Sequence, residues 1–435
     1  MNLLAELEQR QREHRPIRVG LVGVGQMGAG LIAQVGQMQG MEVVAAADIV
    51  IERAAAAFRA TGIAEDDIVV LPVDATCEQA NAAVQAGKRV VTANATLVPQ
   101  IAAVDAVVEA TGIPAIGALV AYRSILAKRH VIMLNVETDA TIGYLLKRMA
   151  DAADVVYTTA AGDEPGAILE LYDFARSLGF EIVAAGKGKN NPLDRSATPE
   201  QMAEKARQQE MSARMLTSFV DGTKTMVEMT AVANATGLVP DVSGMHGPHA
   251  SPETLAQIFC LREDGGILSK KGVVDYALGN VAPGVFLVIT TQQPKVIKDL
   301  RYLRLGDGPY WTLYRPYHLA NLETPRSVAQ AVIYHQATLA PQGLPVAETT
   351  TVAKRDLQAG EVLDGLGGTT VYGNIERADV ARAGRMLPLG VSSRARVLRP
   401  VARGQTLTYD DVELDAQSFI VHARRLQDLL VQEEG

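Results

Sequence analysis

Cysteine is almost missing. Cys77 and Cys260 stand far apart in 435 residues, with no CxxC and no His/Cys spacing around them. A disulfide framework and a zinc site are therefore not expected, and a reducing compartment is. No apolar run approaches the roughly 18 residues that a membrane-spanning helix needs. Positive charge is in deficit: 41 Lys and Arg face 49 Asp and Glu, for a formal net charge of −8. That balance argues against nucleic acid or an acidic membrane surface as the main partner. It leaves room for a locally basic site that takes a phosphorylated small molecule. The opening stretch, MNLLAELEQRQREHRP, mixes Leu3, Leu4 and Leu7 with many charges. It reads as a short amphipathic helix, not as the apolar core of a signal peptide. The expectation is a soluble, cytoplasmic protein.

Residues that are hydrophobic make up 48% and charged ones 21%, a globular balance, and the length calls for two or three domains. The run IRVGLVGVG is a β-branched strand of the kind buried on both faces. Gly23, Gly25 and Gly28 follow with Gln26 and Met27 between them, and AGLIAQVGQM continues as a helix. Such a turn lets the backbone approach a pyrophosphate at the positive end of a helix. A second strand, MEVVAAAD, ends at Asp48, where a carboxylate can accept from an adenosine ribose and repel a 2′-phosphate; Arg53 softens that preference, so NAD and NADP both stay open. VDAVVEATG ends in the small turn Thr111–Gly112, suited to pass beside a nicotinamide ribose. Further strands are expected at 130–139 and at VVYTTAAGD, with helices between. Strands alternating with helices predict an α/β protein with a parallel, doubly wound Rossmann-type sheet over residues 1–160.

Chemistry is expected in the middle of the chain. FEIVAAGKGKNNP (180–192) reads as an apolar strand ending in a cationic loop. There Lys187 and Lys189 share one side, Asn190 and Asn191 follow, and Pro192 stiffens the exit. Two cations and two amides can hold a phosphate or polarise a carbonyl; a solvated surface loop is the plainer alternative. Residues 217–238 read as one helix whose Asp221, Lys224, Thr225 and Glu228 form a polar stripe, either lining a cavity or simply exposed. AGDEPG places Asp163 and Glu164 at a strand end, where carboxylates can orient hydroxyls or hold Mg²⁺ together with Glu137. His246 and His249 flank Gly247–Pro248, which breaks any helix, so their spacing does not imply a shared metal. Lys270 and Lys271 read as a turn between strands.

The order GVGQMG, VVEATG and then an Asn-bearing strand end resembles the homoserine dehydrogenase superfamily. The family's Thr-Ala-Asn-Lys lysine is absent: VVTANATL carries Ala95 instead, and the positional match, MLNVETD, keeps Asn135 with Val136–Glu137 where the lysine would lie. Nearly the whole chain, in order, is similar to a branch with a C-terminal SAF-type domain, through AGDEPGAILELYDFARSLGFEIVAAGKGKNNPLD, SFVDGTKTMVEMTAVANATGL, GGILSKKGVV and TVAKRDLQAGEVLDGLGGTT. Characterised members of that branch are the second type of 1-deoxy-D-xylulose 5-phosphate reductoisomerase. The resemblance implies a central α+β catalytic and dimerisation domain (161–312), a segment returning to the first domain (313–344), and a small β-clip with a tail helix (345–435). It also implies a homodimer that reduces a polyol or hydroxyketone with NAD(P)H. Lys187 and Lys189 would then stabilise an alkoxide or bind phosphate, Lys224 assist proton transfer, and Glu137 orient hydroxyls or a metal. Asn135, Asp163, Asn190, Asp221 and His246 would contact substrate. A dehydrogenase of another polyol or sugar acid, and a non-catalytic nucleotide or sugar sensor, are the competing readings.

Overall fold

A computed structural model describes residues 2–434. In chain order the elements of the first half are α1 (Leu3–Arg12), β1 (Ile17–Val22), α2 (Gln26–Val35), β2 (Met41–Ala47), α3 (Ile51–Ala60), β3 (Ile68–Leu71), α4 (Cys77–Gln85) and β4 (Arg89–Thr92). They continue as β5 (Ala106–Glu109), α5 (Pro114–Leu126), β6 (His130–Met133), α6 (Val136–Ala152), β7 (Tyr157–Thr159), α7 (Glu164–Ser177) and β8 (Glu181–Gly188). Then come α8 (Pro199–Gln208), α9 (Ala213–Val220), α10 (Thr223–Thr236), β9 (Val239–Pro240), β10 (His249–Ala250), α11 (Leu255–Ile258), β11 (Val273–Gly279) and β12 (Val285–Thr290). The last third holds α12 (Pro294–Tyr302), β13 (Tyr310–Arg315), α13 (Ala320–Tyr334), β14 (Ala347–Ala353), β15 (Val371–Arg377) and α14 (Ala378–Ala383). It closes with β16 (Arg396–Val397), β17 (Val412–Glu413) and α15 (Phe419–Glu434). Among the described residues no helix is long and apolar enough to cross a membrane.

Contacts divide the chain into two units. The first runs to Asp163 and adds Leu319–Ala340 and Ala416–Glu433. Its seven parallel strands lie in the order β3-β4-β2-β1-β5-β6-β7. The order reverses between β1 and β5, so their C-terminal ends flank the switch point where such sheets take ligands. Alternation along the buried strands feeds two cores. Val19, Leu21, Leu31, Phe58 and Val328 fill one face, and Val22, Val44, Val90, Val107 and Val120 the other. The returning α13 packs on α2, where Gly30 leaves no space for a Cβ beside Asn321.

Glu164–His318 and Pro341–Asp415 make up the second unit. Its main sheet is mixed, in the order β10-β11-β8-β12-β13 with β9 also on β11. The central β8 pairs in parallel with β11 and antiparallel with β12. One face packs under α7 and α10 through Ile168, Met226, Met229, Val274 and Leu287; Phe259, Leu268 and Phe286 cover the other. The antiparallel pair β14–β15 and the short pair β16–β17 belong to this unit too.

Three expectations need correcting. The strand expected over 130–139 stops at Met133, because Asn135 caps α6, its side chain accepting from Thr138 N at 3.2 Å. The single helix expected over 217–238 is two, α9 and α10, broken at Gly222 with φ +84°. The tail helix α15, expected with the C-terminal β-clip, contacts the first unit.

Candidate active site

In the first unit the glycines divide by role. Gly23 has φ +94°, and a Cβ on it would lie 2.7 Å from the Ala110 carbonyl carbon. A Cβ on Gly28 would lie 2.0 Å from Gly23 O, so this glycine is what brings α2 onto β1. Gly25 is different: a Cβ there would meet nothing within 4 Å. It is exposed and forms the N-cap of α2 without any side-chain cap, and Gln26 and Met27 beside it are exposed as well. The first N–H groups of α2 thus face an open surface over which backbone, not side chain, makes the approach. That is the surface a pyrophosphate needs, and the residues present fit a dinucleotide.

Asp48 anchors this turn. One carboxylate oxygen accepts from Val24 N and the other from Val50 N, both at 2.8 Å. Fixed in place, each oxygen keeps a second lone pair for a ribose hydroxyl. Arg53 is exposed on α3. On the other side of the switch point, Thr111 donates its N–H and its hydroxyl to Glu109 Oε1, at 3.0 and 2.5 Å. Gly112 follows at φ +65°. The Asn135 amide donates to Ile113 O at 3.1 Å, tying α6 to the same loop. Glu137 and Asp163 are also in this unit, 2% and 7% exposed.

The second unit gathers charge. Lys187 does not lie in a surface loop: β8 continues through it, pairing it with Tyr276 and Val285, and it is 5% exposed. Its ammonium donates to Glu164 Oε1 at 2.5 Å and to Glu228 Oε2. Lys224, one turn before Glu228 on α10, places its ammonium 3.9 Å from Glu228 Oε1. His318 Nε2 lies 3.5 Å from Glu164 Oε1, while its Nδ1 faces Pro283 O at 2.7 Å. Two cations and two carboxylates of this unit therefore share one buried cluster. Burial alone would lower the Lys187 ammonium, but Glu164 and Glu228 outweigh it and hold it above its ordinary range. Burial and the charge of Glu164 raise Glu228, against the opposing pull of Lys187 and Lys224. A lysine has three N–H donors. Among the described residues two of those on Lys187 are taken, which leaves the third for a ligand oxygen.

Other expected residues have structural partners. Lys189 donates to the carbonyls of Asn191 and Phe219, each at 2.7 Å, and to Pro192 O at 3.5 Å, so it closes its own loop. Burial and the neighbouring Lys187 bring it down to about 8. Asn190 is exposed, and the Asn191 side chain accepts from Lys205. Asp221 is fully enclosed, accepting from Thr223 N at 2.8 Å and pairing with Lys354 at 2.7 Å, so it ties the α9–α10 junction to the residue after β14 instead of extending the stripe of Lys224 and Glu228. His246 Nδ1 meets Asp275 Oδ2 at 2.8 Å, and its Nε2 lies 3.6 Å from Asp241. Asp275 also accepts N–H bonds from Gly247 and Tyr276, a brace between loop and strand. His318 and Glu109 escaped sequence reasoning. A lone histidine in LYRPYHLANL carries no local signal, and the glutamate of VVEATG lies inside an apolar strand pattern that assigns it no role.

Residues 162–324 match a family model described as the oxidoreductase DRL catalytic domain. This span contains Glu164, Lys187, Lys224, Glu228 and His318. No curated protein matches the chain. Among solved structures, a probable dehydrogenase from Thermotoga maritima is similar at 14% identity and TM-score 0.40, over 74% of this chain and 90% of that one. A myo-inositol dehydrogenase from Lactobacillus casei, in complex with NAD(H) and myo-inositol, gives 15% identity and TM-score 0.40 over 75% and 89%. The 1-deoxy-D-xylulose 5-phosphate reductoisomerase from Zymomonas mobilis, in complex with NADPH, gives 17% identity and TM-score 0.36 over 50% and 57%. A Rossmann-type unit with an open glycine turn, in one chain with a segment that matches an oxidoreductase catalytic domain, is the make-up of a dinucleotide-dependent oxidoreductase.

Proposed function

We propose that the protein is an NAD(P)-dependent oxidoreductase that interconverts a secondary hydroxyl and a carbonyl in a small polyhydroxylated substrate. The observation that carries this reading is Lys187, buried and protonated between Glu164 and Glu228 with one donor left over. A nicotinamide cofactor held at the glycine turn supplies or accepts the hydride. Lys187 donates to the carbonyl oxygen and stabilises the negative charge that develops there, in a site dry enough for that to matter. It then passes its proton to this oxygen and regains one from water after the product leaves, Glu164 and Glu228 favouring its ammonium form. Glu164 accepts from a neighbouring substrate hydroxyl, and His318 fixes its orientation. Because Lys187 and Lys224 already face carboxylates and Lys189 is engaged by carbonyls, an uncharged polyol or ketose suits the site better than a phosphate does.

The reductoisomerase reading, with 1-deoxy-D-xylulose 5-phosphate as substrate, is supported by the motifs shared along nearly the whole chain, and it stands second. Mg²⁺ matters to the choice, since Glu164 and Glu228 would have to release Lys187 to hold it. One assay tests both: NADH and NADPH oxidation with a panel of ketoses, inosose-type ketones and 1-deoxy-D-xylulose 5-phosphate, with and without Mg²⁺. The expected result is turnover of a neutral member, reduced by about 10²–10⁴-fold in Lys187→Met, as loss of a proton-transfer group implies. Turnover confined to the phosphorylated substrate would select the second reading. No turnover with any member would leave the sensor.

A further inference from the structure

Glu109 ends β5 beside Val22, the last residue of β1, and is 0% exposed. Both of its bonds from Thr111 fall on Oε1. Its Oε2 is buried without a hydrogen-bond partner. Gly117 closes the space around that oxygen. A Cβ there would meet Oε2 at 3.0 Å, Asn135 Nδ2 at 2.6 Å and Thr138 Oγ1 at 2.3 Å. On its far side the Thr111 turn presses on the glycine turn, for a Cβ on Gly23 would lie 2.8 Å from Thr111 N. One carboxyl therefore fixes the backbone that borders the dinucleotide turn.

We propose that Glu109 is a positioning residue for the dinucleotide, one that seats the Thr111–Gly112 turn against Gly23 and makes cofactor affinity depend on its own protonation. The proposal rests on the dinucleotide reading of the glycine turn. A carboxylate beside this turn repels the diphosphate of the cofactor, and a neutral carboxyl does not. Burial lifts Glu109 to about 7, although the contacts from Thr111 and Asn135 oppose the rise. Glu137, from the first turn of α6, adds a like charge. Tyr157 of β7 also feels Glu109, but its own hydroxyl is raised well above the ordinary range and stays neutral. The end of β1 and the first turn of α5, also packed here, carry no titratable side chain. The sign follows. Below pH 7 the group is neutral and the cofactor binds best; above it the group ionises and affinity falls. Binding an anion raises the carboxyl further, so binding takes up a proton near pH 7.5.

The test is fluorescence titration of the full chain with NADH and NADPH at pH 6 and pH 8, with proton uptake read by calorimetry in buffers of different ionisation heat. For the wild type we expect binding about threefold weaker or more at pH 8, the equal of about half a pKa unit, with proton uptake at pH 7.5. Glu109→Gln should keep the tight affinity at both pH values and show no uptake. Thr111→Val, which removes a bond favouring the ionised form, should move the midpoint to higher pH; it carries the test if the first variant does not fold. Binding with the same pH slope in wild type and variants would overturn the proposal while leaving the dinucleotide site intact. No binding by the wild type at either pH would overturn the dinucleotide reading and the proposal with it.

Discussion

At the scale of the residue, the glycines of the opening turn make separable claims. Gly25 faces open space and has an ordinary φ of −74°, so the free protein tolerates a side chain there. Gly28 does not, since its Cβ would lie 2.0 Å from the Gly23 carbonyl oxygen. Gly25→Ala should leave the stability of the free protein within about 0.5 kcal/mol, the range of a surface substitution. It should weaken dinucleotide binding about tenfold or more, because the added methyl occupies the path of the pyrophosphate. Gly28→Ala should instead cost roughly 1–3 kcal/mol of stability by overpacking. Thermal unfolding with and without NADH separates the two. A Gly25→Ala protein that binds NADH as the wild type does would remove the pyrophosphate from this turn. The spacing of these glycines was legible in the sequence because it follows a β-branched strand and precedes a helix. The environment of Lys187 was not. A lysine after an apolar run reads as a solvated strand end, and only Glu164 and Glu228, at 23 and 41 residues' separation, make its burial tolerable. Glu109 was hidden for a similar reason: its partner Thr111 is local, but the walls that desolvate it come from α5 and α6.

At the scale of the element, α6 shows how a helix can be completed by a distant segment. It is irregular at Ile142, with φ −138° and ψ 18°. There the Gln427 side-chain amide of α15 bridges Leu145 N and Thr141 O, the two groups a regular helix joins directly. Its oxygen accepts from Leu145 N at 3.0 Å and its nitrogen donates to Thr141 O at 3.1 Å. Arg424 adds a second donor to Thr141 O at 3.2 Å. Only an amide carries both a donor and an acceptor in this arrangement, so Gln427→Leu should leave the buried Leu145 N–H unmatched, and Gln427→Glu should set a carboxylate oxygen against Thr141 O. The expected loss is about 1–3 kcal/mol, read as a lower urea midpoint with an unchanged slope. An unchanged midpoint, with the Leu145 amide still protected from exchange, would mean that α6 re-forms its own bond and that α15 is dispensable to it. No sequence period announces such a splice, because it joins residues more than 280 positions apart. The break between α9 and α10 was missed differently. Asp221, Lys224, Thr225 and Glu228 fit one helical face, but Asp221 is the C-cap of α9, accepts from Thr223 N and pairs with Lys354.

At the scale of the whole molecule, strand–helix alternation made β1, β2, β5, β6 and β7 of the parallel sheet legible, while the four-residue strands β3 and β4 at its edge were not. The second unit was less so: its strands mix directions, and one of its pairs, β14–β15, comes from the far side of α13. The chain leaves and re-enters the first unit twice, at Leu319–Ala340 and at Ala416–Glu433, so that unit is assembled from three stretches that a linear reading separates. A ligand bound to one unit stabilises the unit that holds it, and by a predictable amount. At a free concentration one hundred times its Kd, a dinucleotide should add about 2.7 kcal/mol to the stability of the folded form it binds. Hydrogen exchange measured along the chain gives this a location. NADH should slow exchange at the Gly23–Gly28 turn, at the Val24 and Val50 amides held by Asp48, and at Thr111. A substrate found by turnover should slow it around Lys187 and the first turns of α7 and α10. Protection by NADH that appears only in the second unit would contradict the assignment of the cofactor to the glycine turn, whatever the activity of the protein proves to be.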